Sequence, residues 1–159
     1  MAKTEEEKGI KILADNRKAR FNYTVEDTLE CGVELQGTEV KSLRIGKFSF
    51  ADSYARIING ELFLVSFHIS QYEFGNIHNH EPDRDRRLLA HKQEIKRLQR
   101  RVDEKGYTLV PLKVYLKNGL VKILIGICKG KHTHDKRQSI KNRDLNRDAA
   151  RQIRDSLRQ

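Results

Sequence analysis

Two Asn-Gly pairs, Asn59-Gly60 and Asn118-Gly119, constrain the fold of this chain more than any other feature. Each pair stands between two segments that read as strands. Asn and Gly both tolerate the positive φ angles of the tight turns that join antiparallel strands. The sequence therefore predicts two β-hairpins, one with strands over 54–58 and 61–66, the other with strands over 107–116 and 120–128.

Further strands precede the first hairpin. Alternation of apolar and polar residues predicts strands over 19–26 and 29–35. Pro111 lies inside a predicted strand, which indicates a bulge or an edge position. Five or six short strands with glycine turns favour a mainly β fold, namely a closed or nearly closed barrel.

Two helices are predicted beside the strands. A short one lies within 38–47 and ends at Gly46, and a longer one runs over 88–105 and ends at Gly106. Their predicted inward-facing residues are Val40, Leu43 and Ile45 in the first helix, and Leu88, Leu89, Ile95, Leu98 and Val102 in the second.

Residues 129–159 differ from the rest of the chain. They contain no aromatic residue, and their ten basic and four acidic residues give +6 of the chain's net charge of +10. Such a segment cannot build a core and is typical of a tail that contacts a polyanion. A helical projection of residues 143–158 gathers the arginines within about 80° and leaves only a thin apolar stripe. We therefore predict a tail that is disordered when free and helical on a phosphate-rich partner.

No pattern in the sequence points to catalysis or to a metal. The Gly-x-Ser-x-Gly, Walker A, Gly-x-Gly-x-x-Gly and His-Glu-x-x-His motifs do not occur. The His-x-His pairs at 78–80 and 132–134 have no Cys or carboxylate at a zinc-site spacing, and Cys31 and Cys128 are far apart, which predicts reduced thiols. We expect no enzymatic activity, no cofactor and no metal.

The bulk properties favour a nucleic-acid partner. The pI is near 9.7. No apolar run is long enough to span a bilayer, and the N-terminus lacks the apolar stretch of a signal peptide, so we expect a cytoplasmic protein without a membrane partner. The sequence leaves the oligomeric state open, and a monomer is the default expectation. Tyr23, Tyr72 and His91 are candidates for stacking on bases. Three basic clusters are predicted to bind phosphates: Arg17-Lys18-x-Arg20, Arg84-x-Arg86-Arg87, and Lys96-Arg97 with Arg100-Arg101.

Several short blocks occur in a characteristic order: NRKAR at 16–20, LQGTEVKS at 35–42, NHEP at 79–82, EKGYT at 104–108, and KGK at 129–131 with DKR at 135–137. In these blocks the chain resembles the SsrA-binding protein family (small protein B), the tmRNA partner in bacterial trans-translation. The resemblance covers nearly everything from Ile12 to the C-terminus.

The resemblance implies a fold and a task. The fold would be an OB-like antiparallel barrel with a few flanking helices, with a flexible lead over 1–15, the barrel over 16–128 and the basic tail over 129–159. The barrel would bind the tRNA-like domain of tmRNA, and the tail would occupy the decoding centre and the empty mRNA channel of a stalled ribosome. The implied partners are tmRNA, the ribosomal small subunit and, through tmRNA, elongation factor Tu.

The resemblance also assigns residues position by position. The tmRNA-binding residues would be Asn16, Lys18, Arg20, Glu30, Leu89 and His91. Glu30 fits a hydrogen bond to a base or ribose, since phosphates repel a carboxylate. The tail residues would be Lys129, Lys131, His134, Asp135, Lys136 and Arg137, and then Arg143, Arg147, Arg151 and Arg154, which match in charge pattern. The alternative is a general OB-type RNA-binding or ribosome-associated protein without tmRNA specificity.

Overall fold

The structure, a computed structural model, describes residues 9–131 and 133–158. Over these residues the strands are β1 (Ile10–Asp15), β2 (Tyr23–Val33), β3 (Phe48–Ser49), β4 (Tyr54–Ile58), β5 (Glu61–Val65), β6 (His68–Ile69), β7 (Arg86–Leu89), β8 (Thr108–Lys117) and β9 (Leu120–Gly130). The helices are α1 (Arg17–Asn22), α2 (Gly37–Arg44), α3 (Lys92–Lys105) and α4 (Thr133–Leu157), with one 3₁₀ turn at Asn76–His78.

Six antiparallel strands close into a barrel. Their order is β8–β4–β5–β7–β2–β9, and β9 pairs back with β8. The shortest strand pairing in the ring is between β4 and β8, where Ala55 lies opposite Leu109. β1 lies outside the ring on β8, and β3 pairs with β6 in a separate small sheet. The mainly β fold with an antiparallel barrel and a few helices is confirmed.

Both predicted hairpins are confirmed. The positive φ angles at their turns are 50° for Asn59, 77° for Gly60, 52° for Asn118 and 80° for Gly119. These values suit the tight turns that follow the right-handed twist of paired strands. The bulge predicted at Pro111 is also present, because the register of β8 against β9 shifts directly after that residue.

The barrel interior and the underside of α3 form one apolar core. Ile95 and Leu98 of α3 are buried in it, and Val102 packs against it. Burying a side chain of this size stabilises the fold by about 1.5–3 kcal/mol. Gly106 ends α3 in the left-handed conformation, as predicted.

A buried ionic network ties α2 to Arg84 and to Arg86, the first residue of β7. Glu39 and Arg86 are both fully buried, and Glu39 accepts hydrogen bonds from Arg84 and Arg86. Arg86 also donates to the Phe67 carbonyl over 2.6 Å. Burial raises the pKa of Glu39, but its hydrogen bonds with Arg84, the Gln36 amide and Arg86 outweigh burial and hold that pKa below its ordinary value.

The network corrects the prediction that Arg84, Arg86 and Arg87 form a phosphate-binding cluster. Arg84 and Arg86 turn inward to neutralise Glu39, and Arg87 lies 3.3 Å from Glu61. A buried carboxylate requires such partners, because an unpaired buried charge is costly.

The secondary structure of three segments differs from the prediction: two lie near the start of the chain, and the third is the beginning of α3. Residues 19–22 belong to α1 rather than to a strand, because Asn16 caps a helix there and the strand begins at Tyr23. Ile10–Asp15 is a strand paired with β8, where a flexible lead was predicted, and residues 1–8 lie outside the described residues. The long helix begins at Lys92, because Arg86–Leu89 pairs with β2 and β5.

α2 begins one residue before the predicted segment and ends at Arg44 rather than at Gly46, and one residue that was predicted to face inward is exposed. Leu43 is fully buried, whereas Ile45 is 57% exposed because it follows the last helical turn as the C-cap.

Candidate nucleic-acid interface

Asn16, the first of the predicted site residues, uses its hydrogen bonds to hold α1 in place. Its side-chain amide donates to the Pro111 carbonyl over 2.9 Å, and its Oδ1 accepts from the Ala19 amide at 3.2 Å. Its own amide donates to the Leu112 carbonyl over 2.7 Å. Asn16 therefore anchors α1 on the bulge of β8 and positions the cations that follow it.

Those cations, Lys18 and Arg20, are exposed on α1. The Arg20 Nε lies 3.2 Å from Asp15 Oδ1. An open cleft of about 680 Å³ lies between α1 and α4. Its lining contains six cations and no acid: Arg17, Lys18, Arg20, Lys131, Arg143 and Arg147, with Phe21 and Ser139.

Lys129 and Gly130 still belong to β9, and from Thr133 onward the tail forms one helix, α4, which makes few described contacts with the rest of the chain. The Lys131 Nζ donates to the Ser139 hydroxyl over 3.1 Å, and the Arg143 guanidinium stands 5.8 Å from the Phe21 ring centroid. The apolar residues of α4 stay exposed, including Ile153 at 63%. The side chains of His134, Asp135 and Lys136 lie outside the described residues. Lys129, Arg137, Arg147, Arg151 and Arg154 are exposed.

Glu30 projects from the outer face of β2, because its neighbour Cys31 points into the core. It accepts a hydrogen bond from the Tyr115 hydroxyl, and the Lys117 Nζ lies 3.4 Å from its Oε1. The Tyr115 hydrogen bond, with help from Lys117, holds the pKa of Glu30 below its ordinary value against the opposing effect of burial. Glu30 is therefore an ionised acceptor at neutral pH.

Leu89 shares this outer face. Leu88 is buried, and Leu89 is 49% exposed beside Gly32 of β2. On its other side Gly32 pairs with Lys122 of β9. Because Gly32 has no side chain, a shallow groove of about 380 Å³ opens there, with Leu89, Leu120 and Lys122 among its lining residues.

His91 is exposed at the start of α3, two residues beyond Leu89. Its amide donates to the Glu94 carboxylate over 3.1 Å, so it forms part of the helix cap. The structure thus brings Glu30 and Leu89 to one outer face, with His91 directly beyond Leu89 in the chain.

The predicted tmRNA residues fall into two groups along β2. Asn16, Lys18 and Arg20 lie near its first residue, Tyr23, whereas Glu30 lies seven residues further along the strand. At about 3.3 Å per residue this separation is about 23 Å. The candidate surface is therefore an extended strip rather than one pocket.

Sequence reasoning missed the neighbours of Glu30. Tyr115, Lys117 and Lys122 come from the β8–β9 hairpin, which the sequence did predict. Its pairing with β2 was not predicted, and only that pairing brings the hairpin to Glu30. A second outward acid, Glu26, accepts a hydrogen bond from Tyr107 and lies 3.7 Å from Lys129, and the Tyr107 bond lowers its pKa.

The other histidine and cysteine side chains considered in the sequence have structural roles wherever the structure describes their contacts. His80, one of the histidines at 78–80, is buried and hydrogen-bonded to Thr38 and the Ile69 carbonyl. Cys31 and Cys128 are free and buried, and burial raises their thiol pKa values to about 12 and about 11. Within residues 9–131 and 133–158 no cluster of metal-ligand side chains occurs. None of the helices described there is long and apolar enough to cross a membrane.

An antiparallel barrel with a basic end and a long basic helix is typical of a nucleic-acid-binding protein. The family model described as "SmpB protein" matches residues 13–155. The chain belongs to the SmpB family.

Individual relatives agree along most of the chain. The SsrA-binding protein of Treponema denticola is 57% identical over 145 residues, which cover 91% of this chain and 94% of the relative. That of Shouchella clausii is 51% identical over 148 residues, covering 93% and 95%. A solved structure described as "tmRNA-SmpB: a journey to the center of the bacterial ribosome" is 45% identical with a TM-score of 0.64, and the match covers 80% of this chain and 93% of that one.

Proposed function

We propose that this protein is a non-catalytic adaptor that binds the tRNA-like domain of tmRNA and delivers it to stalled ribosomes for trans-translation. Membership of the SmpB family and the likeness to the tmRNA-SmpB structure support this function. In this proposal elongation factor Tu joins through tmRNA, and the protein acts in the cytoplasm.

The observation that carries the RNA-binding part is the ionised Glu30 among lysines. An ionised carboxylate repels phosphates but accepts hydrogen bonds from a base amino group or a ribose 2′-hydroxyl. Lys117 and Lys122 beside it attract the adjoining phosphates, and the exposed Leu89 offers an apolar surface to a base. This face is therefore suited to a folded RNA with accessible bases rather than to any polyanion.

At the other end of β2, Lys18 and Arg20 serve as phosphate contacts. They are exposed, and Asn16 fixes the helix that carries them. Asn16 accordingly contributes by positioning α1, a narrower role than direct RNA binding.

The tail completes the proposed function. Lys129, Lys131 and Arg137, with His134, Asp135 and Lys136, meet the decoding centre, and α4 lies along the mRNA channel. The exposed arginines Arg143, Arg147, Arg151 and Arg154 support this role, since a channel lined with RNA phosphates attracts their charges.

Replacing Glu30 by Ala tests the RNA-binding face. We expect the affinity for the tRNA-like domain of tmRNA to fall at least about tenfold, because a hydrogen bond to a charged group contributes about 1.5–3 kcal/mol. Binding is measured by titration with labelled RNA at fixed salt. Glu26→Ala is the matched control, since Glu26 is also an outward acid of β2 bonded to a tyrosine. Equal affinities of the two variants would remove Glu30 from the site.

The tail is predicted to be unstable in the free protein. Its described contacts with the barrel are few and its apolar stripe is exposed, so little packing energy holds the helix. Amide hydrogen exchange over 133–157 should be fast in the free protein and slow on ribosomes. Strong protection in the free protein would contradict this expectation.

A further inference from the structure

Loop 70–79, between β6 and β7, exposes two large apolar side chains. Phe74 is 75% exposed and Ile77 is 91% exposed. Isolated exposed apolar residues are common on protein surfaces. Here, however, the two lie on one short loop beside the half-buried aromatic Tyr72, whose ring contacts Phe74 at 5.6 Å between centroids.

This loop is held in a fixed conformation. The Asn79 amide group donates to the Tyr72 carbonyl over 2.6 Å, and its Oδ1 accepts from the Tyr72 amide at 2.9 Å. Buried His80 fastens the base of the loop through Thr38 on α2 and the Ile69 carbonyl, each at 2.8 Å. A ligand of Phe74 therefore meets a pre-ordered loop and loses little affinity to ordering it.

Cations border the loop on its α2 side. The Lys41 Nζ stands 5.3 Å from the Tyr72 ring centroid, and the Lys47 carbonyl accepts from the Ser70 amide at 3.0 Å. Arg44, between them in the chain, is exposed like both lysines. The one acid of residues 37–51 is buried Glu39, already neutralised by arginines. The loop itself adds a single charge, Glu73.

We propose that this patch, formed by Tyr72, Phe74, Ile77, Lys41, Arg44 and Lys47, is a second RNA contact. An unpaired nucleobase stacks on Phe74 against Ile77, and the cations hold the adjoining phosphates. Exposed aromatics interleaved with cations are how proteins bind unstacked bases. The inference rests on the proposed function, since it assigns another contact to the same RNA-binding task.

Phe74→Ala tests the patch with two probes, the tRNA-like domain of tmRNA and purified small ribosomal subunits. We expect affinity for one of the two to fall about tenfold, the usual effect of losing one stacked base. Phe74→Trp should stay within about twofold of the unmodified protein. Ile58→Ala, at another exposed apolar residue, is the control for general loss of surface.

Ultraviolet crosslinking identifies the partner directly. After irradiation and digestion of the unmodified protein, the peptide containing Phe74 should carry a ribonucleotide from the same probe that Phe74→Ala binds more weakly. A crosslink to a ribosomal protein would overturn the proposal, and so would a Phe74→Ala variant that binds both probes as Ile58→Ala does. Glu30→Ala tests the proposed function separately. An unchanged affinity of Phe74→Ala would therefore exclude the patch as an RNA contact without contradicting the proposed function.

Discussion

Ending the chain after Gly130 is expected to abolish peptide tagging on stalled ribosomes while tmRNA binding remains nearly intact. In the described residues α4 supplies no side chain to the apolar core, so the barrel should fold without it. The tRNA-like domain would still find Glu30 and Leu89. The truncated protein would lack all the cations after Gly130 that are proposed to contact the decoding centre and the mRNA channel.

Two measurements on the same sample separate these effects. A titration with the tRNA-like domain should give an affinity within about threefold of the full-length value, since a few exposed phosphate contacts carry modest energy. A reconstituted translation reaction on mRNA without a stop codon should give tagging at background level. Tagging by the truncated protein would show that the tail does not have its assigned role.

Replacing Glu39 by Ala is expected to cost about 3–5 kcal/mol of the free energy of unfolding. The change leaves Arg86 fully buried without its carboxylate and also removes the partner of Arg84. Stabilities of single domains are about 5–15 kcal/mol, so the variant should be close to unfolding. Denaturant titration followed by circular dichroism measures the loss.

Glu61→Ala is the matched control, because Glu61 and Arg87 form a half-exposed pair at 3.3 Å. Such a pair contributes about 0–1 kcal/mol. The pH dependence provides a second check. Because the pKa of Glu39 is depressed in the folded state, its stabilisation is present above the ordinary carboxyl pKa and is lost as pH falls through the depressed value. Equal losses in the two variants would contradict the role of the buried network.

The parts of the fold that were predictable are those set by local signals. Asn59-Gly60 and Asn118-Gly119 fix their turns through their own backbone preferences, and the hairpins follow. Gly106 ends α3 for the same kind of reason. The strand predicted over 19–26 depended on the alternation of Phe21, Tyr23 and Val25, whereas in the structure the cap at Asn16 begins a helix that continues to Asn22.

What could not be predicted depends on contacts between distant parts of the chain. Glu39 meets Arg84 and Arg86 across more than forty positions, and an arginine cluster looks the same in sequence whether it faces solvent or a buried acid. The neighbours of Glu30 could not be predicted for the same reason. Tyr115 and Lys117 lie beside Glu30 only because β2 and β8 both pair with β9. The family resemblance is what predicts a role for Glu30 itself, and its contacts with Tyr115 and Lys117 explain why it stays ionised.

Competition binding tests the central claim most directly. Labelled tRNA-like domain of tmRNA is bound to the full-length protein and displaced by unlabelled tRNA-like domain, ordinary tRNA or unstructured RNA of equal length at one salt concentration. We expect the tRNA-like domain to compete at least about tenfold better than either of the others. Equal competition by all three would instead identify a general RNA-binding or ribosome-associated protein without tmRNA specificity.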